Sequence, residues 1–300
     1  MKQIKIFCSK DWVDYELLDT GEGERLERFG KYIFVRPCED AVWPKTFSAK
    51  EWNKANGKFW SSKQGAKSGW KMNGKIEPKW EMSYKDIKFL ASPTPFRHLG
   101  FFPEQASHWD FIEEKIKNAT AVAGQAKKPI KFLNLFGYTG VASLFALRAG
   151  AEVTHLDASR QTLVWAKENQ EISEFGKLPM RIITDDAIKF LEREEKRGNK
   201  YDCIIMDPPK FGRGPKGEIW KIEEMLPKLL LQIRKILSDK PLFVILNSYA
   251  IDFSSLSLGY ALSETMKDFK GDIEQGELCV LEKSNNRLIP LANTAVWVVK

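Results

Sequence analysis

A chain of 300 residues, 43% of them hydrophobic and with a formal net charge of +7, suits one large domain or two unequal ones. No apolar run approaches the roughly 18 residues of a membrane helix. The opening Met1-Lys2-Gln3-Ile4-Lys5 lacks the apolar stretch of a secretory signal, so a cytoplasmic protein without membrane contact is expected. Cys8, Cys38, Cys203 and Cys279 lie far apart with no C-x-x-C pair, which points to reduced thiols and no metal site.

The charge is unevenly placed. Residues 41–80 hold nine lysines against only Glu51 and Glu77, a net of +7 that equals the excess of the whole chain. The same stretch carries five of the ten tryptophans: Trp43, Trp52, Trp60, Trp70 and Trp80. Lysines interleaved with aromatic rings suit a surface that meets phosphates and stacks on bases. They equally suit a small β domain whose tryptophans fill the core while its lysines face water.

Residues 1–88 read as a small β-rich domain, with segments such as Lys31-Tyr32-Ile33-Phe34-Val35 set between glycine-containing turns. Residues 89–300 read as a second domain. Trp109, Ile112, Ile116 and Ala119 fall at helical spacing, and strands then alternate with helices. Strands are expected at 130–135, 152–156, 180–183, 201–206 and 242–246. Helices are expected at 141–149, 160–172, 187–196, 222–237 and 256–269, and strands return near 278–281 and 295–299. Buried apolar strands alternating with helices specify an α/β, doubly wound, Rossmann-like parallel sheet. Ligands of such sheets bind at the carboxyl ends of the strands.

The strand-end residues carry the chemistry. The first strand runs into Asn134-Leu135-Phe136-Gly137-Tyr138-Thr139-Gly140, a glycine turn that lets backbone approach a ligand. It has G-x-x-G but not the G-x-G-x-x-G of nicotinamide enzymes. Asp157, twenty residues after Gly137 and followed by Ala158 and Ser159, can accept both hydroxyls of a ribose, or cap a helix. Asp185-Asp186-Ala187 can serve an adenine or, again, a cap. The fourth strand ends in Asp207-Pro208-Pro209-Lys210-Phe211. Two prolines fix φ and remove two donors, so the carbonyls there are expected to lack partners and, with Asp207, to gather acceptors for the amino group of a planar base. Phe211 can stack on that base. Lys210 can contact a phosphate or simply face water.

The series N-L-F-G-Y-T-G, D-A-S, D-D-A and D-P-P-K-F resembles class I S-adenosylmethionine-dependent methyltransferases, and within them the branch that modifies bases of bacterial large-subunit ribosomal RNA. The segment His98-Leu99-Gly100-Phe101-Phe102-Pro103-Glu104-Gln105 also resembles one that helps to cover the cofactor in that branch. The resemblance spans about residues 90–300. It implies a site for S-adenosyl-L-methionine built from Phe102, Gln105, Asn134, Phe136, Gly137, Thr139, Gly140, Asp157, Ala158, Asp186, Ala187 and Asp207. It also implies a base site at Asp207, Pro208, Lys210 and Phe211, with RNA as partner; because neither Asp207-Pro208-Pro209 nor Asn247-Ser248-Tyr249 supplies a cysteine, direct transfer to a ring nitrogen or exocyclic amine is expected.

Two features depart from the branch. Residues 1–88 show no clear RNA-binding module of the PUA type. Relatives that form 5-methylcytosine place a cysteine after the fifth strand, where this chain has Leu246-Asn247-Ser248-Tyr249-Ala250. The other readings are transfer to a protein amide or a small molecule, 5-methylcytosine formation, and a non-catalytic RNA-binding module. Oligomeric state is not encoded in these motifs.

Overall fold

The computed structural model describes residues 3–60, 68–123, 128–249 and 253–300. Lys63 and Lys67 of the basic stretch, and Ala250, lie outside the described residues. In chain order the elements are β1 (Ile4–Phe7), β2 (Tyr15–Gly21), β3 (Glu24–Phe29), β4 (Tyr32–Pro37), α1 (Ala49–Trp52), β5 (Gly57–Trp60), β6 (Gly69–Met72), β7 (Trp80–Tyr84) and β8 (Ile87–Ala91). Then come α2 (Ala106–Ala123), β9 (Lys131–Leu135), α3 (Val141–Arg148), β10 (Glu152–Asp157), α4 (Arg160–Ile172), β11 (Met180–Thr184), α5 (Ala187–Lys196) and β12 (Cys203–Met206). The chain ends with β13 (Phe211–Arg213), β14 (Ile219–Lys221), α6 (Ile222–Ile236), β15 (Phe243–Ser248), α7 (Ser255–Thr265), β16 (Gly271–Leu281) and β17 (Leu288–Val299).

Two compact units emerge, and they differ from a single cut at residue 88. The larger holds residues 1–7, 107–278 and 290–300; the smaller holds 8–106 and 279–289. The first strand departs from the expected division because β1 pairs in parallel with β16, Ile4 opposite Gln275 and Phe7 opposite Leu278. Residues 89–106 stay with the smaller unit because Phe101 packs edge-on against Phe29 and Phe89, at 5.7 and 4.8 Å between ring centroids.

The larger unit is built on an eight-stranded sheet ordered β1-β16-β17-β15-β12-β9-β10-β11. Pairing is parallel from β15 through β11, as the apolar strands predict. All four residues of β12 and all six of β15 are buried, as befits strands covered on both faces. β17 is the exception, running antiparallel to β15. Only residues 282–287 separate β16 from β17, too few for the crossover that a parallel return needs. Helix α6 buries Ile222, Leu226, Leu229, Leu230, Ile233 and Ile236, a 3.6-residue stripe that closes one side of the core. No helix of the described residues is long and apolar enough to cross a membrane.

The smaller unit contains the five-stranded sheet β2-β3-β4-β5-β6 and the β7–β8 hairpin. Its core is aromatic. Trp52 and Trp80 are buried, and Trp70 sits edge-on to Phe34 and Phe59 while its indole N–H donates to the Thr94 carbonyl at 2.8 Å. Trp43 donates to Thr20 Oγ1 at 3.0 Å. Of the five tryptophans in the basic stretch, Trp60 alone is strongly exposed, at 44%. At the centre Arg36 clamps the buried Glu27 through two bonds of 2.6 Å, and Tyr15 donates to the same carboxylate at 2.9 Å. Burial alone would raise the pKa of Glu27; Arg25 and Arg36 outweigh it and hold the carboxyl below its usual value.

The chain has three histidines, and burial lowers the pKa of each. His98 falls to about 3, with Arg36, Arg97 and Arg25 adding repulsion, and His108 falls to about 4. His155 is lowered although Asp157 opposes the shift. Unfolded, each takes up a proton near pH 6.5. Because the folded values are depressed, this stability is present above about pH 6.5 and is lost as pH falls toward the folded values, by up to about 1.4 kcal/mol per pH unit for each group. Thermal unfolding at pH 7.5, 6.0 and 5.0 checks this: Tm is expected to fall through that series, and a flat profile contradicts the burial of the three imidazoles.

Candidate cofactor and base site

From β9 the chain moves outward through β10 and β11, then returns to place β12 on the other side of β9. A crevice opens where the strand order reverses. Register brings the strand ends together there. Leu135 lies opposite Leu156 on one side and Met206 on the other, and Asp157 lies opposite Thr184. The loops that begin at Phe136, Asp157, Asp185 and Asp207 therefore leave one edge of the sheet.

The first loop is conformationally demanding. Phe136 and Tyr138 both take left-handed backbone angles, φ 56° and 53°, with Gly137 between them and Gly140 at φ 84° after them. Two non-glycine residues in that region cost on the order of 1–3 kcal/mol each and need support from their surroundings. The support is a buried polar chain. Asn134 Nδ2 donates to Ser143 Oγ at 3.0 Å, and Ser143 Oγ lies 3.0 Å from His155 Nδ1. His155 Nε2 is 3.2 Å from the Tyr138 carbonyl. Since Ser143 accepts from Asn134, its hydroxyl is free to donate to Nδ1, which leaves the proton on Nε2 to reach Tyr138. Asn169 adds a bond to the Thr139 carbonyl at 2.9 Å. The side chains of Asn134 and Thr139 are buried, at 5% and 1%, so Asn134 acts here as a prop beneath the loop. Neither His155, Ser143 nor Asn169 stands out in the sequence, because each reads as an ordinary member of its strand or helix.

Asp157 sits at the tip of β10. Its Oδ2 accepts the Tyr138 N–H at 2.9 Å and its Oδ1 accepts the Ser159 N–H at 2.8 Å. The helix-cap role falls instead to Ser159, whose hydroxyl accepts from Thr162 N. Asp157 is thus held in one orientation at the edge of the crevice, with lone pairs left on both oxygens. Ala158 follows it, half-buried. The next strand end takes the capping alternative: Asp186 caps α5, accepting from Lys189 N at 2.9 Å. Asp185 is ion-paired to Arg193 and accepts the Asp186 N–H. Ala187 is buried at the first position of α5.

The Asp207-Pro208-Pro209 loop is better tied than expected. The Pro209 carbonyl accepts the indole N–H of Trp220 at 2.6 Å, and the Lys210 carbonyl accepts Ile222 N at 3.1 Å. The expectation that the carbonyls lack partners is corrected for Pro209 and Lys210. Trp220 also packs edge-on against Phe136, 4.9 Å between centroids. Lys210 is exposed and Phe211 is 57% exposed.

Asn247, at the end of β15, is fully buried. Its Oδ1 receives Thr294 at 2.8 Å and lies 3.1 Å from His108 Nε2. Its Nδ2 and the neighbouring Ser248 Oγ are buried without hydrogen bonds. Phe102 and Gln105 belong to the smaller unit, where Phe102 packs on His98 and Gln105 N–H bonds the Phe102 carbonyl at 3.1 Å.

A doubly wound sheet with an antiparallel strand beside β15, a glycine loop after the first strand and an acidic residue after the second defines the class I methyltransferase fold. The family described as Conserved hypothetical protein 95 matches residues 109–241. A solved structure titled a SAM Dependent Methyltransferase, from Agrobacterium tumefaciens, is 39% identical, with a TM-score of 0.91 over 99% of this chain and 94% of that one. The chain belongs to the S-adenosylmethionine-dependent methyltransferases. A Streptococcus mutans methyltransferase at 14% identity shares the fold, with a TM-score of 0.71 over 96% of this chain and 76% of that one.

Curated relatives match over shorter stretches. One is Ribosomal RNA large subunit methyltransferase I of Tolumonas auensis, 39% identical over 30% of this chain and 23% of its own length. Another is Ribosomal RNA large subunit methyltransferase K of Neisseria meningitidis, 30% identical over 50% of this chain and 44% of its own. The chain spans less than half the length of these relatives.

The support beneath the loop can be checked through Gly137. A Cβ built there meets His155 Cε1 at 2.3 Å and Nδ1 at 2.5 Å. Gly137→Ala is expected to lower stability by about 1–3 kcal/mol through overpacking, read as a lower denaturation midpoint at unchanged slope. Wild-type stability in that variant contradicts the close packing of His155 under the loop.

Proposed function

We propose that the protein transfers the methyl group of S-adenosylmethionine to a ring nitrogen or exocyclic amine of an RNA base, with ribosomal RNA as the substrate. The observation that carries this reading is the Asp207-Pro208 strand end beside an exposed Phe211, one strand away from the glycine loop and two from Asp157. The names of the curated relatives support the substrate class.

The crevice suits the cofactor. The oriented Asp157 carboxylate would hold the ribose hydroxyls. Asp186, with one oxygen committed to its cap, and the Ala187 backbone would take the adenine. The Phe136–Gly140 loop, with Asn134 and Thr139 beneath it, would line the methionine portion. When bound, the cofactor supplies an electrophilic methyl on a sulfonium.

The remaining work belongs to the protein. Asp207 and the Pro208 carbonyl accept N–H bonds from the base, which fixes the attacking lone pair. Phe211 stacks on the ring and Lys210 meets a phosphate. Alignment of this kind is worth about 7–11 kcal/mol in well-oriented reactions, and a nitrogen lone pair needs no covalent activation. Carbon-5 of cytosine would need a thiolate beside the base. Cys203 is fully buried within β12 and its pKa is pushed well up by burial, while Cys279 is buried on β16.

Three measurements test the reading. Asp157→Ala is expected to weaken S-adenosylmethionine binding by about 1.5–3 kcal/mol, the worth of a hydrogen bond to a charged group; unchanged affinity by calorimetry in the folded variant removes Asp157 from the site. Each of the four Cys→Ser variants is expected to methylate ribosomal RNA fully, and Asp207→Ala to lose nearly all activity. An inactive but folded Cys203→Ser or Cys279→Ser enzyme, or 5-methylcytosine as the product, overturns direct transfer to nitrogen.

In the smaller unit, Trp60, Lys58, Lys71 and Lys75 are exposed, with Lys58 opposite Lys71 across the β5–β6 pair. Replacing Lys71 and Lys75 by Gln and Trp60 by Ala is expected to weaken RNA binding and flatten its salt dependence. An unaltered salt slope means these residues only solvate a surface.

A further inference from the structure

The D-P-P loop runs directly into an element that the sequence pattern hides. Residues 211–213 and 219–221 form a two-stranded antiparallel hairpin, Phe211 opposite Lys221, Gly212 opposite Trp220 and Arg213 opposite Ile219. Side chains alternate across a strand, so Trp220 faces inward while Phe211, Arg213, Ile219 and Lys221 share the outer face. That face mixes apolar and cationic groups: Phe211 is 57% and Ile219 59% exposed, and Arg213 and Lys221 are exposed beside them.

A two-stranded hairpin is marginal by itself. This one is braced. Trp220 is buried and bonds the Pro209 carbonyl. The connecting turn is closed by Gly214 N–H to the Glu218 carbonyl at 2.8 Å and by Gly217 N–H, at φ 88°, to the Gly214 carbonyl at 3.0 Å. Glu218 bonds Lys189 at 2.5 Å and Lys216 N–H at 2.9 Å. With Glu218 taken by Lys189 and Lys221 held by Glu224 at 2.8 Å, the excess charge of the hairpin rests on Lys210, Arg213 and Lys216.

We infer that the outer face of the β13–β14 hairpin is the docking surface for the single-stranded RNA that flanks the target base, with Ile219 against a neighbouring base or sugar and Arg213 on its phosphate. The assignment rests on the RNA reading above. Its basis is charge complementarity and continuity: a rigid cationic face with apolar side chains between the charges suits the alternating phosphates and planar bases of a single strand. It begins at Phe211, which the base site already uses.

Steady-state methylation of a ribosomal RNA fragment tests it, using Arg213→Gln, Ile219→Ser and the double variant in the full chain. Both side chains are exposed, so neither change disturbs a core. The double variant is expected to raise KM for RNA tenfold or more, to hold kcat within about twofold, and to flatten the salt slope by about one unit for the lost phosphate contact. S-adenosylmethionine affinity is expected to stay at the wild-type value, and Arg213→Lys to recover most of the salt slope. Wild-type KM and slope in the double variant overturn the assignment. So does a stable wild-type dimer in sedimentation that Ile219→Ser dissociates, since the face then covers a second copy of this chain. If the wild-type protein binds S-adenosylmethionine but transfers no methyl group to RNA, the RNA reading itself falls and takes the hairpin assignment with it. Methylation by the wild type with unaffected variants sinks the hairpin alone.

Discussion

A neutral imidazole buried beneath the Phe136–Gly140 loop sets the geometry on which the larger unit's site depends. His155 is fully buried and joins Ser143 on one side to the Tyr138 carbonyl on the other. Its ring occupies the space that a Cβ at position 137 would need, which is why that position is glycine. The Tyr138 peptide is gripped twice, its carbonyl by His155 and its N–H by Asp157. These bonds offset the unfavourable backbone angles of Phe136 and Tyr138, and they tie the first strand-end loop to the second. A charged imidazolium would donate from both nitrogens and reverse the Ser143 bond, so the low pKa of His155 is part of the same arrangement.

The smaller unit solves a different problem. With short strands and few aliphatic residues, it fills its interior with aromatic rings and a buried Glu27–Arg36 clamp. Removing one partner of such a pair would strand a charge in a dry core, which costs about 3–5 kcal/mol. The lysines that dominate its charge lie outside that core. Lys45 spans Glu24 and the Trp52 ring, and Lys58 also reaches Glu24. The core reading of the lysine–tryptophan stretch holds for Trp52, Trp70 and Trp80, while Trp60, Lys58 and Lys71 face solvent.

The sheet of the larger unit was legible because its signals are local. Four-to-six-residue apolar strands alternate with amphipathic helices, and the β9, β10, β11, β12 and β15 boundaries fall within a residue or two of the apolar runs. What escaped is what local pattern cannot encode. β1 is a strand only because β16 lies beside it, about 270 positions along the chain. The β13–β14 hairpin is threaded with Gly212, Gly214, Pro215 and Gly217, a composition that reads as a loop until Trp220 is seen to anchor it. Among the acidic strand ends, spacing could not decide between ligand and cap. Geometry settles the capping alone: Ser159 relieves Asp157 of it, while Asp186 caps α5 itself. Asn134 shows the converse: a polar residue at a strand end that turns inward to hold Ser143.

Trp220 connects these parts. Its indole N–H fixes the Pro209 carbonyl and its ring packs on Phe136, so one side chain touches both loops that flank the switch point. Those loops leave adjacent strands with Leu135 and Met206 in register, but register constrains only their first residues. On the proposed reading the two must be held at a set separation beyond that, because a methyl group and its acceptor react only when aligned at near-attack distance, and a displacement of about 1 Å can cost on the order of a hundredfold in rate. One backbone bond, from Asp207 N–H to the Leu135 carbonyl at 3.4 Å, joins the strand ends and not the loops beyond them. An aromatic wedge anchored from the following hairpin supplies the constraint instead, and it does so with the same residue whose burial keeps the cationic face of that hairpin turned outward.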